Sequence, residues 1–305
     1  MQMIMDMTYD KINGGIAFRE SDHVYFNVNN PDIKYISVTT LIEKFGKPFD
    51  KEFWSQYKAL EKVLDPDYFK LEKKRLLDTK KFNKDYYLKT YNIDEVKFNS
   101  AQQDILDAWQ QENQKSCERG TAIHAGFEHE FLDAGVCELK KYGLGGKFNV
   151  KSGDTPLDEE KGVYPEYLIH VDDGDLHLAG QIDLLIKDGE DIYIRDYKTN
   201  KKIETKGYFN MKTKSTDKMK YPLSDFDECN FSHYTLQLSM YAWMIEHNNP
   251  DLKVKSLTLD HFDHEGNYTQ YKVEYRKEAV ERLIRYWKKH GKIEERKALR
   301  KPIEF

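Results

Sequence analysis

The chain is poor in cysteine. Three thiols, Cys117, Cys137 and Cys229, are spread through 305 residues with no CxxC pair. They cannot supply four thiolates to a zinc or iron–sulfur site, so no iron–sulfur cluster is expected and a reducing, cytoplasmic setting fits. No run of about 18 apolar residues is present, so no membrane-spanning helix is expected. The opening Met-Gln-Met-Ile-Met-Asp-Met lacks a basic segment followed by an apolar one, which argues against a secretory signal. GxxxxGK(S/T) is missing as well, so any ATP-driven motor would be a separate protein. There are no internal repeats and no low-complexity linker, and residues 1–305 read as a single domain.

Aromatic residues are plentiful. The 21 Tyr, 16 Phe and 4 Trp argue for a real core and against disorder. The net charge of −5 does not by itself point to a nucleic-acid partner, and the distribution of charge, in two basic segments that could contact phosphates or be solvated, matters more. Residues 200–220 carry seven lysines, Lys201, Lys202 and Lys206 among them, against Glu204 and Asp217. Residues 276–301 carry eleven Lys/Arg against four Glu, a pattern that a solvated amphipathic helix explains equally well.

The most informative stretch is residues 180–199. Leu184–Lys187 and Ile192–Tyr197 are rich in strand-forming residues, and Asp188-Gly-Glu-Asp191 between them is a turn signal. If those four residues form the loop, Lys187 pairs with Ile192 and Asp183 lands opposite Asp196. Opposed Cβ atoms lie about 4.5–5.5 Å apart. Lys198 shares the face of Asp196, because side chains alternate with period two. Two carboxylates this close need a cation, and Mg²⁺ prefers oxygen ligands of this kind. A two-residue Asp-Gly loop would instead set Asp183 opposite Ile194.

Around this hairpin the pattern predicts an α+β chain with a mostly antiparallel or mixed central sheet flanked by helices. Residues 1–99 supply an N-terminal hairpin at 16–27 and a helical elaboration, with a helix capped near Ser37 or Thr39. The core covers 100–275, beginning with a helix over 100–132 that has a possible break at Gly120. Residues 138–162, with five glycines, read as a loop. Strands follow at 165–171, 257–262 and 268–275, with a helix at 232–247, and 276–305 supply a C-terminal helix. His124 and Glu128, four residues apart, share a helix face. Glu166 sits on the strand before the hairpin, while Tyr234, Gln237 and Tyr241 share a face of the later helix.

Four motifs occur in order: Arg119-Gly-Thr-x-Ile-His124, Gly180-x-Ile-Asp183, Asp196-Tyr-Lys-Thr199 and Gln237-Leu-x-x-Tyr241-Ala. With Ser37-Val-Thr-Thr-Leu-Ile ahead of them, the chain over roughly 35–245 resembles the RecB-like branch of the PD-(D/E)XK nuclease superfamily, which includes compact phage nucleases and the mitochondrial genome-maintenance exonuclease. No Pro precedes Asp183, a departure from the pattern of the superfamily's name. The resemblance implies a restriction-endonuclease-like core and a divalent ion, Mg²⁺ or Mn²⁺, one or two in number. His124, Asp183, Asp196 and the Tyr197 carbonyl would hold it. Lys198, its pKa lowered beside the metal, would orient or activate water, and Glu166 matches an acidic strand position. Gln237 and Tyr241 match the helical Gln-x-x-x-Tyr element. Arg119, Tyr241, Lys201, Lys202 and Lys206 are the candidate DNA contacts.

The expected activity is metal-dependent hydrolysis of DNA phosphodiesters, as an exonuclease on single strands or ends, in a bacterial or phage-infected cell. Helices before residue 100 would narrow a channel for the strand. The alternatives are a structure-selective endonuclease on the same core and a non-catalytic DNA-binding module. A separate helicase or recombination protein would be its partner.

Overall fold

The computed structural model describes residues 10–30, 33–210 and 214–299, with side chains to residue 291. The chain divides into two compact units, residues 48–121 and the remainder.

The smaller unit is helical. It contains α2 (Lys51–Val63), α3 (Pro66–Thr79), α4 (Lys84–Thr90) and the start of α5 (Glu95–Ala134). Asp50, Asp65 and Asn83 cap the first three by accepting backbone N–H groups of their opening turns, which satisfies donors that a helix start leaves orphaned. Phe53, Tyr57, Leu60, Phe69, Tyr87 and Phe98 form a core of its own. Helix α5 runs through Gly120 without the expected break. Glycine costs a helix interior only about 1 kcal/mol against alanine, which 40 residues of hydrogen bonding absorb.

The larger unit begins with β1 (Lys11–Asn13), β2 (Ile16–Arg19) and β3 (Val24–Asn27), a three-stranded sheet where a hairpin was expected. Then come β4 (Ile36–Ser37) and α1 (Val38–Glu43), capped by Ser37, whose Oγ accepts the Thr40 N–H at 3.0 Å. The central sheet adds β5 (Val136–Glu138), β6 (Lys147–Val150), β7 (Lys161–Asp173), β8 (Leu176–Asp188) and β9 (Asp191–Lys198). A small ladder of β10 (Phe209–Asn210) and β11 (Ser215–Thr216) precedes α6 (Asn230–Asn248). Strands β12 (Lys253–Phe262) and β13 (Tyr268–Val273) and helix α7 (Lys277–Leu299) complete it. The segment 138–162 is thus not all loop; its glycines lie between and beside two short strands at the sheet's edge.

The sheet order is β13-β12-β9-β8-β7-β6-β5, with β4 also on β8. Strand β12 runs parallel to β9, because α6 carries the chain back to the starting end, while β7-β8-β9 is an antiparallel meander. Ile192, Ile194, Leu185 and Leu257 pack with Leu236, Met240, Met244 and Trp287 of α6 and α7. Leu184, Ile186 and Tyr197 pack with Phe148 and with Phe131 of α5. Helices therefore cover both faces of the sheet.

Candidate metal centre and active site

Strand β8 changes partner halfway along. Leu178 and Ala179 pair with β4, and Leu184–Asp188 pair with β9. Asp183 lies in the gap between these ladders, where its Oδ2 accepts the Tyr197 N–H at 2.6 Å. The predicted register holds, since Lys187 faces Ile192 and Leu184 faces Arg195, so counting outward sets Asp183 opposite Asp196. The loop is tighter than expected. Asp188 pairs with Asp191, leaving a two-residue Gly189-Glu190 turn with Gly189 at φ +63°. A loop centred on these residues keeps the register at either length, so loop length alone does not decide the pairing.

The other edge of β8 is also irregular. Pro165 pairs with Leu184 and Tyr167 with Ile182, but Glu166 between them has φ +49°. A non-glycine residue in the left-handed region costs about 1–3 kcal/mol, and such strain collects at functional sites. The kink is braced by the Leu168 N–H, which donates to the Gly153 carbonyl at 2.8 Å. Across from it, α5 turns Phe127 onto the Tyr197 ring, 4.5 Å between centroids, and buries Phe131. Those contacts fix the helix face that presents His124.

His124 Nδ1 lies 3.1 Å from Glu166 Oε1 and 3.6 Å from Asp183 Oδ1. Donor atoms of His124, Glu166 and Asp183 all fall within 4.8 Å of one another. Lys198 Nζ approaches Asp196 Oδ2 at 2.6 Å, and Gln237 Nε2 donates to Asp196 Oδ1 at 3.0 Å. Asp196 is 1% exposed, and its Oδ2 has the lysine's charge beside it but no well-aligned hydrogen bond.

Electrostatics tie these groups together. Burial pushes Asp183 upward, against the nearby His124 charge. Burial likewise pushes Asp196 up to about 6, against the pull of Lys198. Burial disfavours the His124 imidazolium, but Asp183 and Glu166 outweigh it and hold its pKa up to about 9. The lowering of the Lys198 pKa expected beside a metal concerns the loaded site; the charges of the chain alone act the other way. Burial opposes its ammonium, yet Asp196 and Asp183 raise its pKa above the usual lysine range.

Other candidates fall elsewhere. Glu128 pairs with Lys11 at 2.7 Å, away from the cluster. Tyr241 is 4% exposed and fills the space over Gly180, where a Cβ would meet its ring at 2.6 Å. It is a core residue in contact with Gln237, which sets it apart from the exposed lysines among the candidate DNA contacts. Arg119 belongs to the smaller unit. Lys201, Lys202 and Lys206 are exposed on the segment after β9, with Lys202 paired to Glu204 at 2.8 Å. That segment is pinned by Asn230, which accepts the Glu204 N–H at 2.7 Å and donates to the Lys202 carbonyl at 3.0 Å. Lys212 lies outside the described residues.

Sequence reading missed two features. Tyr208 and Phe209 are 68% and 48% exposed beside the lysines, and their adjacency to the lysine run was the available signal. Arg195, between two site strands' motifs, makes a buried two-pronged pair with Asp260 at 2.8 and 2.6 Å. Nothing local in the sequence links residues 65 positions apart.

A model of the PD-(D/E)XK nuclease superfamily matches residues 147–304, more than half of the 305-residue chain. The chain belongs to this superfamily. Its helix-flanked mixed sheet agrees with the restriction-endonuclease-like fold expected of a member. No curated protein matches the chain. Among solved structures, a candidate exonuclease from Eubacterium rectale is 11% identical, covering 85% of this chain and 80% of its own, at a TM-score of 0.33. The crystal structure of SSO0001 is 15% identical at a TM-score of 0.24, covering 47% of this chain. The chain spans about half, 53%, of the length of SSO0001. Divalent-metal dependence is a property of the superfamily, and the His124 cluster is where the present chain offers a donor set.

Proposed function

We propose that this nuclease is an Mg²⁺- or Mn²⁺-dependent exonuclease on single-stranded DNA or DNA ends, with its active site at His124, Glu166, Asp183, Asp196 and Lys198. The observation that carries the reading is the convergence of one imidazole and two carboxylates within 4.8 Å, beside the buried Asp196–Lys198 pair. One nitrogen and several hard oxygens suit Mn²⁺ or Mg²⁺, and Asp196, buried with its Oδ2 2.6 Å from Lys198 Nζ, adds a further carboxylate beside them. His124, Glu166, Asp183 and Asp196 would hold the ion. The N–H and C=O of one strand residue point the same way, so the Tyr197 carbonyl faces the Asp183 side and joins this set. When bound, the ion supplies positive charge to the phosphoryl oxygen and acidifies the attacking water.

Lys198, held as an ammonium, orients that water and offsets charge developing on the phosphate. Gln237 positions Asp196 through its amide. Lys201, Lys202 and Lys206 contact the backbone of the strand, and Tyr208 and Phe209 offer faces on which bases stack.

The test uses 5′- and 3′-labelled linear and circular single strands, with Mg²⁺, Mn²⁺ or chelator, beside Asp196→Ala and Lys198→Ala. Cleavage of linear DNA that needs the metal and both residues is the expected result. Cutting in chelator refutes the metal site, and rapid linearisation of the circle replaces the exonuclease with an endonuclease. Tight, salt-sensitive binding with no cutting leaves a DNA-binding module.

A further inference from the structure

Beside the site is a cavity of about 340 Å³, within the size range of small-ligand pockets. Tyr234 and Gln237 of α6 form one wall, and Thr39, Ile42 and Glu43 of α1 form part of another. Its inner wall is also the wall of the catalytic cluster. Gln237 holds Asp196, and Lys198 Nζ stands 4.9 Å from the centre of the Tyr234 ring. In the nuclease reading above, a strand with a phosphate at Lys198 would bring a neighbouring nucleotide toward Tyr234, whose ring lines this cavity.

The lining disfavours a phosphate. Glu43 and Glu228 are there, and no lysine or arginine is. Glu228 is already engaged, with Oε1 2.8 Å from His233 Nε2 and Oε2 accepting the Lys47 N–H at 2.9 Å. Among the described residues no ion pair or side-chain hydrogen bond holds the carboxylate of Glu43, an exposed residue of the lining. Ile42 and the Tyr234 ring supply apolar surface. The occupant that fits is flat, uncharged and rich in N–H donors along one edge.

Building on the nuclease reading above, we propose that this cavity takes the base next to the scissile phosphate and selects bases with an exocyclic amino group, guanine first, through Glu43. Guanine offers N1–H and N2–H side by side to a carboxylate. Cytosine and adenine offer one amino group. Thymine offers a single N3–H between two carbonyl oxygens, which a carboxylate repels.

The test is a set of labelled oligothymidylates carrying one G, C, A or T at successive positions from the end, cut in Mg²⁺ by the wild-type protein, Glu43→Gln and Glu43→Ala. One guanine, at one fixed position from the cut, should raise kcat/KM about tenfold over thymine, within the range of a two-pronged base contact. The gain should lie mainly in KM, and the guanine-to-thymine ratio should fall to about one in both variants. Circular dichroism checks that each variant is folded. Equal cutting of all four bases by the wild-type protein overturns this inference alone, as does a preference that survives Glu43→Ala. Failure to cut any substrate overturns the nuclease reading beneath it.

Discussion

The left-handed backbone at Glu166 makes a prediction that depends on very little else. At an ordinary strand position glycine is about 0.5–1 kcal/mol less stable than alanine, because the unfolded chain gains freedom. At φ +49° the order should reverse. There a Cβ costs about 1–2 kcal/mol, and glycine escapes that cost. Glu166→Ala removes the carboxylate and keeps the Cβ, whereas Glu166→Gly removes both. Glu166→Gly should therefore be more stable than Glu166→Ala by about 1 kcal/mol, raising the transition of this unit by about 2–4 °C. A third variant, Glu166→Gln, keeps the strain but removes both the charge that raises Asp183 and the charge that holds the His124 imidazolium, so it should lower the His124 pKa while leaving the left-handed strain in place. Urea midpoints read with tryptophan fluorescence provide the measurement, with an unchanged m-value as the control. Equal stability of the alanine and glycine variants, or a more stable alanine variant, would falsify the claim that strain is stored at this position. All three should lose cleavage if the carboxylate belongs to the site.

Other tests follow from the same geometry. Because His124 has its pKa held up to about 9, a cation at Nδ1 must displace a proton. Apparent Mn²⁺ affinity should climb about tenfold per pH unit from 7 and level off near 9, with about one proton released in calorimetry; a flat profile would remove His124 from the ligands. Gly180→Ala forces a Cβ into the Tyr241 ring, 2.6 Å away, and should destabilise by about 1–3 kcal/mol in denaturant melts. Unchanged stability would mean that this contact is loose. Lys198→Met should lower the cleavage rate by about 10²–10⁴ with Mn²⁺ affinity retained or increased, by single-turnover kinetics and calorimetry. A loss confined to KM would make the lysine a binding group.

The hairpin was legible because β-strand alternation has period two and its turn signal was strong. Those two facts set Asp183 opposite Asp196 for a loop centred on Gly189-Glu190, whether it is counted as four residues or two, while a loop at Asp188-Gly189 would have shifted the register. The gap between β4 and β9 was not legible, since it depends on a parallel pairing of Ile36 and Ser37 with residues 142 positions away. Nor was the kink at Glu166, because glutamate carries no intrinsic preference for positive φ and the conformation is imposed by tertiary contacts. Tyr241 shows the limit of helix-face reasoning. Spacing placed it beside Gln237 correctly, but whether that face meets solvent or Gly180 is decided by a strand distant in sequence. The edge strands β5 and β6 were hidden by their glycines, which a turn signal reports equally well.

The charges of the cluster explain why these side chains tolerate one another. Glu166, Asp183 and Asp196 bring three negative charges, against Lys198 and an imidazolium at His124. The imidazolium occupies the position from which a cation would neutralise the carboxylates. Asp196 has its pKa raised to about 6, so its stabilising contribution is present below its unfolded value of 3.8 and is lost as pH rises through 6. His124 is raised from 6.5 to about 9, so its contribution is complete below 6.5 and is lost as pH rises through 9. Above pH 9 the carboxylates lose their second positive partner, and the fold should lean most on an added ion. Exchange of a proton for a divalent cation raises the local charge by one and balances the three carboxylates with Lys198 included. A chelated sample should therefore lose thermal stability between pH 8 and 10, and Ca²⁺ or Mn²⁺ should restore more of it at pH 9.5 than at pH 6.5. Equal rescue at both values would mean that His124 and the cation do not compete for the same carboxylates.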